Sequence, residues 1–167
     1  MTPTDLLKDA FGRVVESGTA VVDGLTTDQL AVRPAPQTNS IAWLVWHLAR
    51  VQDDHVADVA GREQVWTAQG WVDRFDLPFE SGATGYGQDA EAVGRVRVSA
   101  DLLAGYLRAV HEQTLAFLDT VAPEDLDRVV DDSWDPPVTL GVRLVSVLDD
   151  DAQHVGQAAY VRGLLGA

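Results

Sequence analysis

The chain has 167 residues, 46% of them hydrophobic and 23% charged, with 26 acidic residues against 12 basic ones and a formal net charge of -14. That profile excludes a disordered polymer, and an acidic surface of this strength repels phosphate backbones and anionic lipids, so neither a nucleic-acid nor a membrane partner is expected. The absence of cysteine excludes a disulfide framework, a thiolate metal site and a cysteine nucleophile.

The first predicted helix takes in TPTDLLKDAFGRVVESGTAVVDGL, with Thr2 at the N-cap, Pro3 at the first helical position and Asp5 in the first turn. Leu6, Leu7, Phe11, Val14, Val15, Val21 and Val22 supply its apolar stripe. LTTDQLAVRPAPQT reads as a connector with one helical turn at Thr27 to Leu30. The second helix is NSIAWLVWHLARVQDDHVADVAG, capped by Asn39 or Ser40 and ended by Gly61. Its periodicity puts Ile41, Leu44, Val45, Leu48 and Val59 on one face.

Residues Arg62 to Val98 hold Trp66, Trp71, Phe75, Phe79 and several glycines. The stretch is too long for a plain loop, so short helical pieces are expected in it, for example around Asp89 to Val93, as a lid or wall over a cleft. SADLLAGYLRAVHEQTLAFLDTV forms the third long helix behind Ser99, and APEDLDRVVDDSWDPPVT is a connector. The fourth helix runs from Leu140 to Leu165 behind Thr139. No segment alternates as a strand does, so no sheet is expected. The fold class is therefore all-α, a four-helix bundle with a long crossover between the second and third long helices, as one domain over residues 1–167. No apolar run reaches bilayer-spanning length, and MTPTDLLKDA lacks the basic and apolar regions of a signal peptide. A cytoplasmic location is expected.

The fourth helix carries three consecutive aspartates beside its histidine, in VLDDDAQHVGQAAYVRGLLGA. On a helical wheel with Leu140 at the origin, Leu144, Val147, Ala158 and Leu165 mark the buried face. His154 falls at about -40°, Asp150 at about -80° and Asp151 at about +20° at the usual 3.6 residues per turn. Asp149 falls on the opposite, solvated side. A buried carboxylate needs a partner. A salt bridge to Arg143 or Arg162 is one solution, and a divalent cation is the other, because His and Asp four residues apart project side by side.

On the second helix His47 lies at the edge of the apolar stripe, flanked by Asp54 and Asp58. His55 falls nearer the centre of the stripe, as a hydrogen-bonded core histidine, and His111 on the third helix reads as a surface residue. Bundle metal sites draw ligands from facing helices, so one histidine of the second helix with an aspartate and His154 of the fourth would make three ligands, leaving positions open for water and substrate.

WLVWHLARVQDDH followed by LDDDAQHVGQAAYVRGLL resembles the DinB-like superfamily of four-helix-bundle metalloproteins, and is similar to its branch related to mycothiol-dependent maleylpyruvate isomerase. The family pattern is a histidine on the second helix and an H-x-x-x-H or E-x-x-x-H pair on the fourth, followed by Gly-Gln; here His47, Asp150, His154, Gly156 and Gln157 stand at those positions. The resemblance thus implies His47, Asp150 and His154 as the metal ligands; Asp150 departs from the usual His or Glu, with a shorter reach, and Asp151 is the alternative to it. The resemblance implies a low-molecular-weight thiol cosubstrate, mycothiol or a relative, transferred to a small electrophile. A two-His, one-carboxylate site suits zinc first, with nickel or iron as alternatives, and lets a thiol react as thiolate near neutral pH.

Asp54 is the candidate base, or the group that orients His47. Trp43, Trp46, Trp66 and Trp71 are core material, pocket wall or a homodimer contact. A different metal enzyme, hydrolase or oxygenase, and a non-catalytic bundle with a vestigial site are the competing readings.

Overall fold

Local chemistry sets where each helix begins. In the computed structural model, which describes residues 1–166, α1 (Pro3–Val22) starts behind Thr2, whose hydroxyl accepts from the Asp5 amide while the Asp5 side chain accepts from the Thr2 amide. The same reciprocal cap, Thr26 with Gln29, opens the single turn α2 (Thr27–Leu30). Ser40 caps α3 (Ile41–Ala60), which stops at Gly61 in the left-handed conformation (φ 63°) that glycine adopts without strain. Three short helices follow in the crossover: α4 (Val65–Ala68), α5 (Trp71–Phe75) and α6 (Ala90–Val93). Ser99 caps α7 (Ala100–Leu118), and Thr139 caps α8 (Leu140–Leu165).

α3 packs against both α7 and α8, and α1 packs against the same two from the other side, giving an all-α four-helix bundle. One departure from the sequence reading lies between α7 and α8. Val129–Asp131 (β1) and Val138–Thr139 (β2) pair as an antiparallel ribbon, with Val129 opposite Thr139. Strands of three and two residues are too short to show the alternation by which a strand is recognised. The first and third long helices also end a turn earlier than expected, at Val22 and Leu118.

The core has two apolar clusters. One, around Phe11, Val56, Phe117, Leu140 and Val147, fills the end of the bundle nearer the ribbon; the other, with Trp46, Leu48, Tyr106, Leu107 and Ala158 among its members, fills the remainder. Burying a Leu- or Phe-sized side chain in either contributes about 1.5–3 kcal/mol. The helix positions between the clusters carry buried polar groups: Gln52, which donates to the Thr114 hydroxyl (2.7 Å), and Asp151.

A buried polar knot fastens the crossover to α3. Arg50, 0% exposed, donates to the carbonyl of Ala83 (3.1 Å), to Gln64 (2.9 Å) and to the Tyr106 hydroxyl (3.1 Å), and its guanidinium lies 5.0 Å from the centre of the Trp66 ring. Asp53 accepts from the amides of Val65 and Trp66 and from Tyr106, each at 2.8 Å. Both charges are thereby hydrogen-bonded in several directions, which is what makes a buried pair tolerable. Burial pushes the Asp53 carboxyl up despite these donors. The crossover so fastened lies against the flank of α3, where Phe79, Thr84, Gly85 and Gln88 meet Trp43, Trp46 and His47, which are therefore buried although they sit beside the main stripe.

Candidate metal centre

His47 from α3 meets Asp150 and His154 from α8. Each offers one ligand atom, and the three atoms lie within 4.8 Å of one another. The two imidazole centres are 4.7 Å apart, nearly edge to face. These residues come together because α3 and α8 pack side by side and antiparallel, bringing the early helix against the late one.

The crossover aims His47. Its Nδ1 donates to the carbonyl of Thr84 at 2.6 Å, which leaves the Nε2 lone pair for a ligand. The Trp43 ring stacks on the imidazole at 4.5 Å, 15° from parallel, and its Nε1 donates to Gln88 at 2.8 Å. Gly85, at φ 95°, lets the backbone come this close: a Cβ there would lie 2.7 Å from His47 Nδ1 and 3.0 Å from Trp46.

His154 is oriented by its own helix. Its Nδ1 donates to the Asp150 carbonyl at 2.7 Å, and the Asp150 carboxylate stands farther off at 3.4 Å, an electrostatic neighbour rather than a second hydrogen bond. Asp150 Oδ2 is buried with no hydrogen-bond partner. An orphaned carboxylate oxygen beside two imidazoles whose Nδ1 atoms are both engaged is the donor chemistry of a divalent-cation site.

The electrostatics are mutual. Burial lowers the His47 imidazole below its ordinary value, with His154 adding repulsion, although the Thr84 contact works the other way. Burial also opposes ionisation of Asp150 and protonation of His154, but their mutual attraction wins at both, holding the carboxyl low and the imidazole high.

A cavity of about 510 Å³ opens beside these donors, lined by His47, Asp54, His55, Tyr86, Arg143 and Asp150 among others. Asp54 lines it and accepts from Gln64 at 2.7 Å. The orienting role considered for Asp54 falls instead to Thr84, because the crossover brings a carbonyl directly onto His47 Nδ1.

Asp151 stands outside the donor cluster. It is 0% exposed, neither carboxylate oxygen has a hydrogen-bond partner, and burial pushes its carboxyl well above the ordinary value. The arginines considered as its partners have other contacts: Arg143 pairs with Asp131 at 3.1 Å, and Arg162 donates to the carbonyls of Ala20, Val21 and Asp23.

His55 is half-buried at the cavity wall rather than a core residue, with Nδ1 3.0 Å from Arg143. His111 is also half-buried rather than on the surface, its Nδ1 without a partner, because the neighbouring turn of α7 faces inward. Sequence reasoning passed over Thr84, Gly85 and Tyr86; the glycines of SGATGYG were the one signal, since glycine marks places where backbone approaches closely.

A family model described as mycothiol-S-transferase matches residues 6–167. A solved structure described as a conserved protein of locus from Enterococcus faecalis superposes with a TM-score of 0.93 at 34% sequence identity, covering 100% of this chain and 99% of that one. No curated protein matches. With the family model spanning nearly the whole chain, and a bundle of the expected helix order beneath it, this protein belongs to the mycothiol-S-transferase family of DinB-like proteins.

Proposed function

We propose that this chain is a metal-dependent thiol S-transferase that holds a divalent cation, zinc before nickel or iron, on His47, Asp150 and His154 and joins a low-molecular-weight thiol of the mycothiol kind to a small electrophile. The observation that carries the reading is the convergence of three ligand atoms within 4.8 Å, one of them on an orphaned buried carboxylate, at the wall of a cavity large enough for small substrates. The family description supplies the thiol.

A cation held by His47, Asp150 and His154 would supply Lewis acidity, making a thiolate available near neutral pH although a free thiol has a pKa of about 8.5. The chain's own residues do the rest. Thr84 and the Asp150 carbonyl hold the two imidazoles with Nε2 outward, and Trp43 screens His47 from water. Asp54, the other carboxylate of the cavity wall, stands about two helical turns along α3 from His47, so it would take the thiol proton through intervening water and release it to solvent. The sulfur electron pair then forms the new C–S bond, and the pair of the bond that breaks departs with the leaving group. The chain has no cysteine, so the sulfur belongs to the cosubstrate.

Protein purified without a histidine tag is expected to contain close to one equivalent of a divalent metal by elemental analysis, and to consume thiol in the presence of an electrophile. If chelated protein consumes thiol at the same rate as untreated protein, the reading is wrong.

A further inference from the structure

The cavity has a second polar group at the end away from the metal donors. Arg143 lies seven residues before Asp150 on α8, and His55 lies eight residues after His47 on α3. Both spacings are close to two helical turns, so each residue shares a face with its ligand partner, displaced by a rise of about 10–12 Å. Because the helices run antiparallel, the two displacements coincide: Arg143 Nη1 is 3.0 Å from His55 Nδ1.

That contact fixes the chemistry of the pair. A guanidinium only donates, so His55 Nδ1 accepts and its proton sits on Nε2. Burial first, and then the charge of Arg143, lower the His55 imidazole, while the carboxylates of Asp54, Asp58 and Asp150 pull the other way. Arg143 is held from behind by Asp131 on the ribbon at 3.1 Å, and both Arg143 and His55 line the cavity. Arg143 is the only arginine or lysine among the residues lining it. The pair therefore offers N–H groups and no acceptor, at the far end of a cavity whose other end gathers the cation ligands. Asp54, the remaining carboxylate of the wall outside the ligand set, accepts from Gln64 through Oδ1 alone.

We propose that Arg143 and His55 form an anion subsite that holds a carboxylate of the substrate, about two helical turns from the reacting atoms. The proposal rests on the transferase reading only for which molecule carries that carboxylate, the thiol or the electrophile; the binding itself does not depend on it. A guanidinium already anchored on one side and an imidazole N–H make a pre-oriented, charge-assisted donor pair, which selects a planar anion over its neutral amide.

The first test uses chelated, metal-free protein titrated with succinate and with succinamide, followed by calorimetry and by tryptophan fluorescence. Saturable succinate binding is expected, with succinamide at least tenfold weaker and Arg143→Gln reducing succinate affinity at least tenfold. Since Arg143→Gln also loosens the ribbon, His55→Phe, which leaves the Asp131 pair in place, is expected to weaken succinate binding several-fold in a protein with unchanged circular dichroism. The proposal is overturned if folded wild-type protein does not bind succinate, if succinamide binds equally well, or if both variants bind as wild type does.

The second test uses metal-loaded protein and scores acceleration over the uncatalysed rate for two pairs of probes. Iodoacetate against iodoacetamide varies the electrophile, with sulfur replacing iodide, and 3-mercaptopropionate against its amide varies the thiol. The pair in which the acid is preferred, and in which Arg143→Gln abolishes the preference, identifies the carboxylate carrier. Turnover with no acid preference in either pair overturns a role in substrate recognition. No thiol consumption with any pair, alongside Arg143-dependent succinate binding, overturns the transferase reading and leaves the subsite standing.

Discussion

Asp150 and Asp151 are neighbours in sequence with opposite environments, and two substitutions separate them. Asp150→Ala removes a proposed ligand and is expected to weaken zinc binding at least tenfold in a competition titration. Asp151→Leu is expected to leave zinc binding unchanged and to stabilise the fold by about 1–3 kcal/mol, the cost of a buried unpartnered polar group. The sign of its pH dependence follows from burial: the folded carboxyl is raised above its ordinary 3.8, so stability is lost as pH climbs from that value towards the folded one. The gain from Asp151→Leu in urea unfolding is therefore larger at pH 7.5 than at pH 5.

His154 works in the same direction in the metal-free protein, where its raised imidazole contributes stability that is full below the ordinary 6.5 and lost as pH rises through the folded value. A metal ligand must be deprotonated, so zinc affinity is expected to rise over that same interval with release of a proton, measurable by calorimetry in buffers of different ionisation enthalpy. Gly85→Ala is expected to weaken zinc binding about 10–100-fold, the usual cost of disturbing a group that orients a ligand, because the new Cβ would crowd His47 Nδ1.

At the scale of elements, the caps at Thr2, Ser40, Ser99 and Thr139 were legible because each is a short-range pattern of a hydroxyl residue three positions before the amide it accepts from. The facing of His47 and His154 was legible for a related reason: helical periodicity puts His47 at the edge of its buried stripe and turns His154 into its own. The crossover was legible only in outline. Its tie to α3 depends on Arg50 and Asp53 meeting Val65, Trp66, Ala83 and Tyr106, contacts between distant parts of the chain that no periodicity announces. The ribbon is not legible because its strands are too short to alternate, and Arg143, which the wheel offers to Asp150 or Asp151, pairs instead with Asp131 on that ribbon. Asp53→Ala leaves the Arg50 charge buried without its ion-pair partner and is expected to destabilise by about 3–5 kcal/mol in denaturant titration. The same variant is expected to bind zinc more weakly, since the crossover that carries Thr84 is then less firmly seated.

Across the whole molecule, the proposed ligands join α3 to α8, so a bound cation acts as a cross-link between two helices of the folded state alone. Zinc at about 1,000 times its dissociation constant would add about 4 kcal/mol. Zinc-loaded protein is accordingly expected to melt higher than chelated protein, with the difference abolished by His47→Ala. Among the described residues no helix is long and apolar enough to cross a membrane. The overall acidity noted from composition is not uniform in its effect: the described cavity keeps one arginine and two half-buried or buried histidines against Asp54 and Asp150, so its local balance differs from that of the surface.

The antiparallel seating of α3 against α8 also has a consequence for biosynthesis. The His47 imidazole emerges from the ribosome before Asp150 and His154, the two proposed donors on α8. On that ligand set a nascent polypeptide that has not yet made α8 lacks two of the three donors, so capture of an ion would follow synthesis of that helix.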